Sequence, residues 1–91
     1  MYKVFLRLWD NQVDELGHVY CYETNKVMDG RYRENTCVYH HILEKSKYPE
    51  YALEEWNIVI VHPDTHAQIH SNIYKCPKIK KLTEKLKEEY G

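Results

Sequence analysis

Hydrophobic residues recur along the first part of the chain at the three- and four-residue spacing typical of one helix face. This spacing predicts a helix over residues 3–16, with Gly17 as its C-terminal cap. Residues 18–33 combine short apolar stretches with Asn and Asp-Gly turn signals, which predicts a hairpin. Residues 36–42 are rich in strand formers and predict a further strand.

The second half of the chain continues this pattern. The apolar run at residues 58–61 predicts a strand, and Pro63 is suited to begin a helix that carries residues 64–71. A last helix is predicted from residue 77 to about residue 90, and its apolar inner face carries Ile79, Leu82 and Leu86. The order of these elements predicts an α+β fold.

Composition limits the class of protein. A chain of 91 residues, 43% hydrophobic and 30% charged, predicts a single globular domain over residues 1–91. No apolar stretch reaches the roughly 20 residues that cross a bilayer, and the N-terminus does not resemble a signal peptide. Three cysteines with no paired spacing favour a reducing compartment. We therefore expect a cytoplasmic protein that does not bind membranes.

Charge is unevenly distributed along the chain. The formal net charge is −1, so the chain as a whole is not a basic nucleic-acid binder. The segment from Lys75 to Lys87, however, contains six lysines and only one glutamate. Such a run is typical of a surface that contacts phosphates, and also of an ordinary solvated helix.

Five of the six histidines lie between positions 40 and 70. His66 and His70 are four residues apart on the predicted helix, so both imidazoles can reach one metal ion. His40 and His41 are adjacent on a predicted strand, where neighbouring side chains point to opposite faces. One of them can complete a three-histidine metal site while the other acts as a base. The alternative is a pair of surface histidines at a strand edge.

Together with Asn57, these histidines resemble the motif of the HNH endonucleases, also called His-Me finger or ββα-metal nucleases. The spacing from Asn57 to His66 and His70 is most similar to that of the colicin nuclease domains. The apolar run after Asn57 also fits the small HNH endonucleases of phages and bacteria. The resemblance covers about residues 19–72, most of the chain.

The resemblance implies a role for each residue of the motif. His40, His66 and His70 would hold one divalent cation, and His41 would be the general base. Asn57 would hydrogen-bond backbone across the loop and hold His41 in position. The implied reaction is hydrolysis of DNA phosphodiester bonds to 5′-phosphate and 3′-hydroxyl ends. The implied fold is a ββα-metal core with an N-terminal helix and a C-terminal Lys-rich helix.

Two departures from the family pattern concern metals. Many family members have Asp in place of His40, and three neutral histidines suit Zn²⁺, Ni²⁺ or Co²⁺ better than hard ions. We expect Mg²⁺ or Mn²⁺ as the working ion, while Zn²⁺, Ni²⁺ or Co²⁺ can occupy the same site. Many members also carry a structural zinc on two Cys-x-x-Cys knuckles, which here read Cys21 to Thr24 and His62 to Thr65. Two of the four zinc ligands are lost, so no structural zinc is expected. The three cysteines are then expected to be buried or half-buried free thiols: Cys21, Cys37 and Cys76.

DNA is the expected partner of this motif. The candidate phosphate contacts are Arg31, Arg33, Lys45, Lys47, Lys75, Lys78, Lys80 and Lys81. So small a nuclease could also act as a homodimer or within a larger phage or bacterial assembly. If a phage encodes the protein, its expected location is the cytoplasm of the bacterial host. The competing hypothesis is a non-catalytic, metal-stabilised nucleic-acid-binding module. Such a module has no task for a histidine at position 41.

Overall fold

Three helices and two small antiparallel sheets make up the fold, so the predicted α+β class is confirmed. The computed structural model describes residues 2–91. In chain order the helices and strands are α1 (Tyr2–Gln12), β1 (Val19–Tyr20), β2 (Val27–Met28), β3 (Tyr39–His41), β4 (Ile58–Ile60), α2 (Pro63–Ser71) and α3 (Pro77–Tyr90). Short 3₁₀ turns connect several of them.

The first helix ends four residues earlier than its apolar pattern predicts. The Asp14 carboxylate accepts hydrogen bonds from the backbone N–H groups of Leu16 and His18, at 2.9 and 3.0 Å. A side chain that bonds nearby backbone in this way competes with the helix, and here it forms a turn. Gly17 has φ +78° within this turn, so it does not cap α1 as predicted.

The hairpin and the strand after it are shorter than the sequence predicts. The β1–β2 hairpin is confirmed, but it pairs only Val19 with Met28 and Tyr20 with Val27. The predicted strand over residues 36–42 narrows to β3, because residues 36–38 form a 3₁₀ turn. The Asn35 side chain begins that turn by accepting from the N–H of Cys37 at 3.0 Å.

Strands β3 and β4 form an antiparallel ribbon that positions the histidines. The ribbon pairs Tyr39 with Ile60, His40 with Val59 and His41 with Ile58. Backbone hydrogen bonds continue the pairing at both ends, from Val61 to Val38 and from Ile42 to Asn57, each at 2.8 Å. All of β4 is buried, which explains its uninterrupted apolar sequence.

The helices pack around this ribbon. Phe5, Leu8 and Trp9 of α1 and Ile79 and Leu86 of α3 are buried in one apolar core with β4. Helices α2 and α3 both begin at the predicted proline. Glu23, just after β1, fixes the start of α3 by accepting from the N–H groups of Lys78 and Ile79. Within residues 2–91, no helix has the length and apolar character needed to cross a bilayer.

Candidate metal centre and its surroundings

Three histidine side chains converge at the ribbon and α2, and we call them the histidine trio: His40, His66 and His70. Their ligand nitrogens all lie within 4.8 Å of one another. The Nε2 atoms of His66 and His70 are 3.1 Å apart, and the His40 ring lies 5.4 and 6.0 Å from their ring centroids. Nitrogen ligands of a tetrahedral zinc lie about 3.3 Å apart. Small side-chain movements therefore bring all three onto one ion.

Local structure explains this convergence. The ribbon leads through His62 directly into α2, so the helix returns beside β3. Thr65 and Ile69 are the buried residues of α2, and each directly precedes a histidine of the trio. Their burial turns the helix so that His66 and His70 lie at the edge of the core, where His40 meets them. The four-residue spacing then aligns the two imidazoles.

Two histidines of the trio, His40 and His66, have lowered pKa values, which favours the neutral form that binds a metal. Burial, followed by the nearby His66 and His70, lowers the pKa of His40 to about 4. Burial and His70 also lower the pKa of His66, while a backbone hydrogen bond with Cys37 acts in the opposite direction. His40 is therefore neutral near neutral pH, and its lone pair is available to a metal. Three imidazole nitrogens are a donor set that fits Zn²⁺, Ni²⁺ or Co²⁺.

His41 is held separately from the trio. Its Nε2 lies 2.8 Å from the backbone carbonyl oxygen of Ala52. A carbonyl oxygen only accepts hydrogen bonds, so in the neutral imidazole Nε2 carries the proton and Nδ1 has the lone pair. The edge of the Phe5 ring contacts the His41 ring, with centroids 5.9 Å apart. The half-buried imidazole is thus fixed in one orientation and one tautomer.

Asn57 closes the loop of residues 42–57. Its fully buried side chain accepts from the N–H of Leu43 at 2.7 Å and donates to the carbonyls of Leu43 and Tyr51 at 3.1 and 3.2 Å. Tyr51 directly precedes Ala52, whose carbonyl holds His41. Asn57 therefore acts on His41 through the backbone of the loop.

Two hollows, of about 470 and 520 Å³, meet at this site. Both are lined by His40, His41, Glu44 and His70. The first also reaches Tyr48, Thr83 and Lys87, and the second reaches His66 and Lys45. His41 and two members of the trio, His40 and His70, therefore line both hollows.

The eight predicted phosphate contacts are distributed unevenly. Lys45 and Lys47 line the hollows. Arg31 and Arg33 form ion pairs with Asp29 and Asp10, while Lys80 pairs with Glu84 in α3 and Lys47 lies 4.0 Å from Glu44. Four of the predicted contacts lie at the start of α3 or just before it and do not line the hollows: Lys75, Lys78, Lys80 and Lys81.

Sequence reasoning missed Glu44 and Lys87, which also line the first hollow. Lys87 follows Thr83 by one helical turn, beside the apolar positions of α3. That spacing on a helix already predicted is the signal that could have identified Lys87. Glu44 lies in an irregular loop and has no comparable signal.

The four positions that correspond to the ends of the two zinc knuckles also lie close together: Cys21, Thr24, His62 and Thr65. Cys21 is buried and its Sγ lies 3.6 Å from Thr65 Oγ1, while His62 accepts from the N–H of Asp64 at the start of α2. Burial raises the pKa of Cys21, but hydrogen bonds from Thr24, Thr65 and the His62 backbone together bring it below its usual value. Cys76 is buried as well, whereas Cys37 is exposed. In the described part of the chain, the trio is the only group of three or more potential ligands within such reach.

Neither the protein-family models, nor the curated proteins, nor the solved structures include a match to this chain.

Proposed function

We propose that this chain is a metal-dependent DNA endonuclease of the HNH type. The trio would hold one divalent cation, and His41 would be the general base. The observation that carries the proposal is the orientation of His41. In the neutral ring, the contact with the Ala52 carbonyl places the proton on Nε2 and leaves the Nδ1 lone pair free, and His41 lines a hollow that all three members of the trio also line.

The arrangement of elements supports the finer fold assignment. Two antiparallel strands, β3 and β4, are followed directly by α2, and the trio is drawn from the first strand and the helix. We propose that these three elements form a ββα-metal core. Helix α1 and the Lys-rich α3 would be additions that pack against it.

The chemistry follows from these positions. A bound divalent ion supplies charge stabilisation at the phosphate and the leaving oxygen. Nδ1 of His41 takes a proton from water while the water oxygen forms a bond to phosphorus. The bond from phosphorus to the 3′-oxygen breaks, and that oxygen is protonated from solvent. The products are a 5′-phosphate and a 3′-hydroxyl, and the proton on His41 is returned to water.

The decisive experiment is a plasmid-nicking assay with Mg²⁺, Mn²⁺, Ni²⁺ or a chelator. Wild type should nick only with metal, and His41→Ala should lose roughly 10²–10⁴-fold in rate because the base is gone. His18→Ala is the matched control, since this histidine lies before β1 and does not line the hollows. Nicking by His41→Ala at the wild-type rate would remove His41 as the base.

A second function has one observation in its favour. The trio joins β3 to α2, so a bound ion would cross-link two elements of a small chain. The chain would then be a metal-stabilised nucleic-acid-binding module without catalysis. This alternative predicts that Zn²⁺ raises the melting temperature strongly and that no ion supports nicking by the wild type.

A further inference from the structure

Three aromatic side chains join α3 to the loop of residues 42–57, and we call them the aromatic clamp: Tyr51, Trp56 and Tyr90. The rings of Trp56 and Tyr90 are stacked, with centroids 4.2 Å apart and planes within 17°. The Tyr51 ring contacts both, at 5.1 and 5.6 Å. The clamp is partly open to solvent and contains no member of the trio.

The clamp sits on the part of the loop that orients the proposed base. Tyr51 contributes its ring to the clamp, and its carbonyl accepts from Asn57 Nδ2. The next carbonyl, that of Ala52, accepts from His41 Nε2. These two acceptors belong to neighbouring peptide units, so a displacement of Tyr51 can move both carbonyls.

Within the loop, this part is held by the Asn57 side chain and by short turns. Residues 49–51 and 55–57 form single 3₁₀ turns, which are short and weakly bonded. An exposed ion pair between Arg7 and Glu55 reaches the loop from α1, and exposed ion pairs contribute little. Stacked aromatic rings add more than their buried area alone. The stacking of Tyr90 on Trp56 therefore links this part of the loop to α3.

We propose that Tyr90 is a positioning residue for His41. Stacked on Trp56 and packed against Tyr51, it keeps the Ala52 carbonyl in place, and so keeps the His41 proton on Nε2 and Nδ1 free. This inference rests on the proposed function for its effect on cleavage. Its effect on the imidazole does not depend on that function.

Replacement of Tyr90 tests the proposal by two readouts. Tyr90→Ala should lower kcat for nicking by roughly 10-fold to 100-fold, because a shift of about 1 Å at a catalytic group has effects of this size. The KM for DNA and the affinity for Zn²⁺ should stay unchanged, since the trio lies on β3 and α2. Tyr90→Phe keeps the ring and should restore kcat.

The second readout is the nitrogen chemical shifts of the His41 imidazole, measured by NMR on the Zn²⁺-loaded protein. Wild type should show one tautomer with the proton on Nε2, and Tyr90→Ala should show a mixture. Tyr22→Ala is the matched control, because Tyr22 is as exposed as Tyr90, 40% against 43%, and lies outside the clamp. If Tyr90→Ala does not fold, Tyr90→Leu replaces the ring with a smaller apolar side chain for the same comparison.

The outcomes separate the two proposals. In Tyr90→Ala, a mixture of His41 tautomers together with a lower kcat supports both the nuclease and the positioning role of Tyr90. A mixed tautomer in a chain that cuts no DNA supports the positioning role and overturns the nuclease. A single Nε2–H tautomer with wild-type kcat in Tyr90→Ala overturns the positioning role. Loss of Zn²⁺ affinity to the same extent as kcat also overturns it, because the effect would then be general.

Discussion

The trio and His41 line the same hollow, yet the fold holds them by different means. The trio is built on regular elements, with one histidine on a paired strand and two on successive turns of a helix. His41 ends its strand, and its ring depends on one carbonyl of an irregular loop and on the edge of Phe5. Metal binding and proton transfer should therefore respond to different mutations.

The trio and His41 are therefore held in place by two different kinds of interaction. Strand pairing and helix periodicity fix the trio through many backbone hydrogen bonds, none of which depends on a single side chain. The loop of residues 42–57 relies on Asn57 and on the aromatic clamp instead. The trio therefore rests on regular backbone pairing, whereas the orientation of His41 rests on contacts with the loop.

The largest expected effect is loss of the ion. His70→Ala removes one of three ligands and should weaken Zn²⁺ binding by more than about 100-fold, since loss of a supporting group alone costs about 10–100-fold. His41→Ala should bind Zn²⁺ as wild type does. Isothermal titration with Zn²⁺ alone measures both, with His18→Ala as the control. Equal weakening of Zn²⁺ binding by His70→Ala and His41→Ala would show that His41 is not separate from the metal site.

The next effect is on the pH dependence of stability in the metal-free protein. The pKa of His40 is about 4 in the folded chain and near the ordinary histidine value of 6.5 in the unfolded chain, so well above pH 6.5 both states are neutral. As the pH falls below 6.5 the unfolded chain takes up the proton first, and the free energy of unfolding should fall. The fall should reach ~3 kcal/mol at about pH 4.

Urea unfolding in chelator at pH 7, 5.5 and 4.5 measures this loss. His40→Gln has no titrating group at the position and should show a smaller decline over the same window. Identical declines for wild type and His40→Gln would show that other groups cause the acid sensitivity.

The smallest of the three effects is on the loop. Asn57→Ala removes three buried side-chain hydrogen bonds and leaves the Leu43 N–H without its partner, so the free energy of unfolding should fall by about 2–3 kcal/mol. Asn72→Ala is the matched control, because this exposed asparagine caps one turn through a single bond and should cost about 1 kcal/mol.

The folded Asn57→Ala variant should still bind Zn²⁺ and should nick DNA more slowly than wild type. Calorimetry and the nicking assay at a temperature where the variant stays folded measure the two properties. A variant as stable as Asn72→Ala would contradict the role of Asn57 in closing the loop.

Sequence periodicity predicts the elements that hold the trio. The prolines mark the starts of α2 and α3, and the apolar run marks β4, because burial of those residues sets their pattern. Periodicity fails where a side chain competes with the backbone. Asp14 ends α1 early and Asn35 begins a 3₁₀ turn where a strand is predicted. Both bonds need a local geometry that residue type alone does not specify.

The environment of His41 is less visible in sequence. The proximity of Tyr90 to Tyr51 and Trp56 is a tertiary contact between distant segments, and no spacing rule predicts it. The ion pairs of Arg31 and Arg33 are equally hidden, since the sequence shows their charges and not their carboxylate partners. The residue types of the motif can be read from the sequence, and the contacts that orient them cannot.

The register of the β3–β4 ribbon has a consequence for insertions and deletions. A one-residue slip in a strand turns each side chain to the opposite face. A deletion of one residue before β3, with β4 left in place, would bring His41 opposite Val59, where His40 now completes the trio. Ile42 would take the place of His41. Such a chain would keep three histidines for an ion and lose the base, so a single lost codon would turn the proposed enzyme into a metal-binding module.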